Sequence, residues 1–510
     1  VTPAYWLLEV TIDGRVFRWS TTRVVVEGTT YFAGLQDLTT EAGADQVSFS
    51  VVDPSIDWPA LAPQADGGSA VLRRWRTDQA LDQALAVTSG ELRVGSWGAR
   101  DDPFAATIWR TVGTSLGTAV PDTTARIADD TWPDTDPDSV IGDEGRSYPV
   151  ILGYPGRIDE STLVPVVPLP LAQWNTSATL TIAIVAEDGA QAITSIAVYN
   201  AATLATTTET ASAGTDQLGH DLRYCGFQAD SAAWPLTADQ PRELYAAYSV
   251  AGGGGPRTAY DVLVYGLRRW ARDSADWARL PESKAGLERF LVDTWIDDPQ
   301  SDWWAWYESA LLPFVPFQIR TSDRGRYLVE QRYASDPRRR VRSIDADRGE
   351  AAITSAIQLS DTGPYNEFTA NYRPDREGDW LGRILLTGRS GVVSARALGA
   401  DVSALVTTAD RSALCSRSEA RYGARPAPSV DLDWCWDEGT ARAVLAWMAE
   451  RDALPARIAT YLVLDGDTLR EGDEVLLTDT PRGLVDSPAI VTTPPTLTAT
   501  GTAIDFRIPA

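Results

Sequence analysis

Few residues of this 510-residue chain are suited to acid–base, metal or nucleophilic chemistry. The single histidine, His220, lies in the loop-like run Gln217-Leu218-Gly219-His220-Asp221. One imidazole excludes a His-Glu-x-x-His zinc peptidase, which needs two. A Ser-His-Asp triad would have to use His220, and no Gly-x-Ser-x-Gly elbow stands near it, so a satisfied loop histidine is expected. Cys225, Cys415 and Cys435 are odd in number and far apart, with no Cys-x-x-Cys. They read as free thiols of a reducing compartment, neither a disulfide framework nor a zinc site. Asp134, Asp136 and Asp138 alternate as in a calcium loop, but Ser139 replaces the glycine wanted at the sixth position and Gly145 the glutamate at the twelfth. A solvated linker is the expectation there. Gly252–Gly255 runs into Pro256 without the Lys and Ser/Thr of a phosphate loop, and reads as a hinge.

A glycosidase needs only two carboxylates, and 70 acidic residues supply many pairs. Trp303, Trp304 and Trp306 would suit a sugar platform. At helical spacing, however, Trp303, Trp306, Tyr307 and Ala310 cover one core face, so packing is expected. No catalytic, cofactor-binding or metal-ligating residue is assigned, and no cofactor is implied.

The elements that would position any site are mostly strands. The length implies several domains, and 44% hydrophobic with 23% charged residues is ordinary for packed structure. No apolar run reaches the ~18 residues of a membrane span, and no secretory signal pattern begins at Val1. A net charge of −25 argues against a nucleic-acid surface, since Arg338-Arg339-Arg340 stands alone among acids.

Tyr5–Ile12 and Arg15–Thr22 alternate around Asp13-Gly14 as a hairpin, and Glu27-Gly28 makes a second turn. Val71–Trp75 and Glu91–Ser96 are further strands. Leu163–Tyr248, rich in Thr, Ala and Val, reads as β and as a possible insertion. Ala259, Val262, Leu263, Gly266, Leu267 and Trp270 define a helix face. Ser301 is expected to cap a helix over Asp302–Leu312, followed by a hairpin around Asp323-Arg324-Gly325. Near the C-terminus, Ala441, Val444, Leu445 and Met448 mark a helix with Thr440 as N-cap, and Ile458–Leu464 a strand. The fold class is therefore mainly β with minor α, an α+β multidomain chain of β-barrel or sandwich domains plus helix-bearing ones. The expected division is 1–127 (N-terminal β), 128–162 (Asp/Pro/Gly-rich connection and strand), 163–255 (β-rich, possibly inserted), 256–345 (helices and a hairpin), 346–415 (β) and 416–510 (C-terminal α/β).

Several stretches resemble one family. These are "YWLLEVTIDG…FRWSTT…VVVEGTTYFAGL" at Val1–Leu35, Arg146–Gly153 with its "G-x-x-x-P-V-x-x-G" strand, "LLPFVPFQIR" with "DRGRYLVEQRY" inside Pro256–Arg332, and Ser416–Asp479 ending in "GDEVLLTD". Together they resemble the baseplate or tail-tip hub proteins of long-tailed, siphovirus-like bacteriophages and related gene-transfer particles. That resemblance implies a structural, non-enzymatic role at the virion tail tip, after assembly in the host bacterial cytoplasm. It implies a homotrimer of four β-rich domains, two of them arranged pseudo-sixfold. Such a ring joins the tail tube or tape-measure protein and the distal tail protein to tip or fibre proteins. DNA would pass through its lumen without specific binding. The alternatives are a distal tail or fibre-base protein, or a glycan-binding or degrading tail component; the absence of short periodic strands speaks against a β-helical spike.

Overall fold

The first hairpin sets the pattern for the whole molecule. Asp13 and Gly14 both take positive φ (49° and 74°), as a two-residue type I′ turn requires, and Ile12 pairs with Arg15. On the strand Ala4–Ile12, residues Trp6, Leu8, Val10 and Ile12 then point inward, and Glu9 points outward. In this computed structural model the described residues are 4–509, except 37, 39, 42–45, 99–101, 110–118, 133–138, 142, 160, 176–179, 189–190, 202–203, 229–243, 250–255, 272–274, 299, 301, 323, 361–362, 390–405 and 499–500.

The N-terminal sheet runs, in spatial order, Val24–Val26, Thr29–Ala33, Arg15–Ser20, Ala4–Ile12, Ser69–Arg76, Leu85–Ser96, Phe104–Trp109 and Gln46–Val51. It curls on itself: Leu35 bridges Val51, while the amides of Gly34 and Leu35 donate to the Ser20 carbonyl at 3.2 Å. The segment at Gly34–Gln36 thus closes the sheet between Ser20 and Val51, and Val24–Val26 stays outside as an edge strand paired with Thr29–Ala33. The short helix α1 (Trp58–Ala65) packs against the sheet, and Trp58 stacks on Phe104 with ring centroids 4.3 Å apart.

Residues between Ser139 and Ser249 form a β-sandwich. One sheet orders Ser139–Ile141, Leu171–Asn175, Leu180–Ala186, Asp221–Gln228 and Ser212–Thr215. The other orders Val167–Pro168, Leu244–Ser249, Ser195–Asn200 and Ala205–Thr210. Val185 and Cys225 of the first meet Val198 and Ala246 of the second in one core.

Between the sandwich and the C-terminus lies the largest core, shared by helices and a four-stranded sheet. Helices α2 (Ala259–Arg269), α3 (Lys284–Leu287) and α4 (Trp303–Ala310) contribute to it. So do the hairpin Phe317–Ser322/Gly325–Glu330 and helices α5 (Ala413–Tyr422) and α6 (Glu438–Asp452). The sheet pairs Glu367–Pro374 with Trp380–Thr387 antiparallel, and adds Val406–Arg411 and Val430–Leu432 in parallel. Two expected caps are corrected here. Asp302, not Ser301, caps α4, its carboxylate accepting from the Ala305 amide at 2.8 Å, and the helix ends at Ala310. Asp437, not Thr440, caps α6, accepting from the Thr440 amide at 2.6 Å. The Thr440 hydroxyl is used elsewhere, accepting from the Leu291 amide at 2.9 Å.

The last sheet orders Arg340–Asp345, Glu474–Asp479, Leu484–Val491, Thr502–Ile508, Arg457–Val463 and Ala351–Ile353. Arg340–Asp345 runs parallel to Glu474–Asp479, so pairing crosses both 345 and 415. Thr496–Leu497 also pairs with Thr40–Glu41, and Leu497 enters the N-terminal core. The architecture is mainly β with minor α, as the sequence leads one to expect.

Candidate functional site

His220 lies at the end of a turn that begins at Asp216, whose side chain is fully buried. That carboxylate accepts from the amides of Leu218 and His220 at 3.0 and 2.9 Å. It also contacts His220 Nδ1 and accepts from the Tyr148 hydroxyl, both at 2.8 Å. Trp132 Nε1 donates to the Tyr148 hydroxyl at 2.8 Å. On the far side, His220 Nε2 stands 3.3 Å from the Thr124 hydroxyl.

An acid, an imidazole and a hydroxyl in line have the outline of a nucleophilic triad. The hydroxyl, however, is held closer to Asp122, donating to its Oδ1 at 2.7 Å inside a local turn. In this geometry the hydroxyl proton is directed to Asp122 and not to the imidazole, so the three groups do not form the relay of a nucleophilic triad. The network instead fastens the segment carrying Ala125, Ile127 and Tyr148 over the outer face of the sandwich, against Ile184 and Leu222. Burial pushes the Asp216 carboxyl up, but the hydrogen bonds from His220 and Tyr148 outweigh it and hold the group below its ordinary value.

Trp303, Trp304 and Trp306 are buried, with Trp303 fully so. Trp303 stacks on Trp270 at 5.1 Å and meets Trp306 at 4.8 Å. These rings form core contacts and offer no exposed sugar platform. Gly266 of α2 makes room for them: a Cβ there would stand 1.8 Å from the Trp303 ring.

The buried carboxylates are engaged by nearby donors. Asp293, fully buried, accepts from Arg257 Nε at 3.0 Å and from the Tyr154 amide at 2.8 Å. Glu474 binds Arg340 Nη2 at 2.9 Å. Asp479 binds Arg482 at 2.9 Å and accepts from the Tyr461 hydroxyl at 2.8 Å. Glu187, pushed up by burial, binds Arg269 Nη2 at 3.1 Å, and Tyr265 donates to the adjacent Asp188 at 2.8 Å. This last cluster fixes α2 to the sandwich. Perturbed acids often mark active sites, but structural ion pairs perturb them too, and the geometry here is structural.

The three cysteines are buried and unbonded to each other. Among the described residues no group of three or more His, Cys, Asp or Glu is placed to hold a metal. The aspartates at 134, 136 and 138 and the glycines at 252–255 lie outside the described residues. No described helix is long and apolar enough to cross a membrane.

The surface features are of another kind. Phe32, Val25, Trp109 and Trp97 are exposed large side chains around the N-terminal sheet. In the last sheet, Arg340–Asp345 is the outer strand, with Val341 exposed and the nearby Arg338 side chain 91% accessible. Exposed apolar side chains and a free strand edge are features of contact surfaces, not of a reaction centre.

No protein-family model matches the chain, and neither does any curated protein. Among solved structures, a tail protein from Neisseria meningitidis is 11% identical, with 99% of this chain and 96% of that one covered, at a TM-score of 0.36. A chain of a native gene transfer agent virion is 11% identical over 72% of this chain and 85% of its own, at 0.38. A prophage tail protein from Listeria monocytogenes is 11% identical over 66% and 90%, at 0.29. At such identities and scores the likeness decides nothing about this chain's activity.

Proposed function

We propose that this chain is a structural protein of a bacteriophage-type tail, and within the tail the central hub. Three copies close a ring that joins the tube and the distal tail protein to tip or fibre proteins. The observation that carries the reading is the way the chain is locked together. Thr40–Glu41 of the N-terminal sheet pairs with Thr496–Leu497, and Arg76 Nη1 reaches Asp465 and Asp467 at 3.6 and 3.4 Å. A part that transmits force between neighbours needs its β units fixed to one another, and inter-unit strand pairing supplies that. The family resemblance of the four sequence stretches supports the same reading.

The role is non-enzymatic in this proposal: among the described residues His220, Asp293, Glu474 and Asp479 are engaged in contacts that hold segments together. DNA passes through the ring without specific binding: at a net charge of −25, acids on the lumen wall would repel phosphates. The location is the virion tail tip, reached after assembly in the host cytoplasm.

The test is the solution mass of the isolated protein by mass photometry. One chain is 55.3 kDa, so a ring of three would appear near about 166 kDa. A hexamer would replace the hub by a distal tail ring. A monomer that stays monomeric beside purified tail tubes would overturn the proposal and turn attention to glycan binding and cleavage.

A further inference from the structure

Arg507, on the strand Thr502–Ile508, is 6% exposed. Its guanidinium lies over the Tyr333 ring at 4.6 Å, and Nη2 donates to the Arg451 carbonyl at 2.7 Å. Nε is buried and has no acceptor. Asp452, the acid whose charge favours its protonation, is already engaged: Arg451 binds it through Nε at 2.9 Å and Nη2 at 2.7 Å. Among the described residues no carboxylate forms an ion pair with Arg507. Asp452 favours the charge through space and the Tyr333 ring covers one face, so the buried guanidinium is only partly compensated and a further anion beside it would stabilise it. Burial holds Arg507 below the usual arginine range, which agrees with a guanidinium short of compensation.

Beside Arg507 lies a cleft of about 170 Å³, where α5 and α6 meet the C-terminal sheet. Leu414, Ala449, Leu454, Ala456 and Pro509 make its walls apolar, and Arg417 adds a second cation. Arg417 is exposed and forms no ion pair among the described residues. The space is below the ~300–1,000 Å³ of sites for drug-sized ligands, and suits one aliphatic side chain with an anionic tip. Glu450 also lines the cleft, which disfavours a dianion such as phosphate more than a single carboxylate.

We propose that this cleft is a carboxylate-binding site that receives a glutamate side chain from a partner protein, with the acid group at Arg507 and the methylenes on Leu414 and Leu454. A planar guanidinium and a carboxylate match in shape as well as charge. The site is independent of the hub reading, because any partner with a protruding glutamate would satisfy it.

Butyrate is the probe, titrated into the full chain while the thermal midpoint is followed. A saturable rise is expected with butyrate and none with butanol, which has the stem without the charge. Arg507→Met should abolish the rise. Because that variant removes a buried group and risks misfolding, Arg417→Glu is the second variant: it alters an exposed position and should weaken butyrate by about tenfold. Equal rises with butanol, or an unchanged butyrate response in Arg417→Glu and Arg507→Met, would overturn the proposal, as would no saturable rise at all. A capped glutamate tripeptide identifies the source. Tighter binding of the peptide than of butyrate supports a protein side chain; tighter butyrate binding overturns the protein source in favour of a free short-chain acid.

Discussion

Arg76 Nη1 and Asp467 Oδ1, separated by 391 positions in sequence, meet at 3.4 Å where the first sheet abuts the last. Arg76 also holds Asp78 through Nε at 3.3 Å. The guanidinium thus bridges its own hairpin and the C-terminal turn at Asp465–Asp467.

Arg76→Ala and Asp467→Ala should each lower stability modestly. The side chains are 19% and 13% exposed, so a coupling energy at the upper end of the surface range, about 1 kcal/mol, is expected from a double-mutant cycle in urea. A coupling indistinguishable from zero would make the pair incidental to the junction.

Gly266→Ala sets two effects against each other. Alanine gains about 1 kcal/mol of helix propensity over glycine. Its methyl would, however, stand 1.8 Å from the Trp303 ring, which is itself wedged between Trp270 and Trp306. Overpacking costs of about 1–3 kcal/mol or more exceed the propensity gain, so the variant should melt at lower temperature than the parent. A higher melting temperature would mean that α2 and α4 separate freely.

Asp216 gives a pH dependence with a definite sign. Its folded value lies below the ordinary 3.8 because the donors from His220 and Tyr148 outweigh burial. Unfolded chains therefore bind the proton first, and the stability contributed is full above the unfolded value and is lost as pH falls through the lower folded one. Protection factors at the Leu218 and His220 amides, that is, exchange rates corrected for the intrinsic rate at each pH, should fall from about pH 4 downward. In Asp216→Asn, which has no such carboxyl to protonate, that acid step should be missing. An unchanged step would assign it to another group.

The thiols should be silent in the folded protein. Burial pushes Cys225, Cys435 and Cys415 upward, and thiolate is the reactive form. A thiol-reactive dye at neutral pH should label none of the three until denaturant is added. Fast labelling of one equivalent in the native state would contradict the packing around that cysteine.

What the sequence makes legible is local. Asp13-Gly14 and Glu27-Gly28 announce their turns because positive φ is a property of two adjacent residues, and all four have it. The buried face of α2 follows from its own spacing. The caps of α4 and α6 are harder, because two side chains compete for one role. Asp437 and Thr440 are both good cap residues, and the fold assigns the threonine to Leu291 instead. Pairings between distant segments leave no local trace: Trp19 beside Phe32 in parallel, Leu35 against Val51, Arg340–Asp345 along Glu474–Asp479. The Arg507 cleft is illegible for the same reason, since its walls come from α5, α6, the Tyr333 connection and the last sheet. His220 was visible as a residue, but its partners Asp216, Tyr148 and Thr124 become a network only through the sandwich.

The pairing of Thr40–Glu41 with Thr496–Leu497 also imposes a schedule on synthesis. A ribosome adding about 5–20 residues per second needs tens of seconds to travel from one segment to the other. Throughout that interval the N-terminal sheet lacks Leu497 in its core, leaving an apolar socket open to solvent. The nascent chain is thus most open to chaperones, and to mispairing with a neighbouring nascent copy, at this seam.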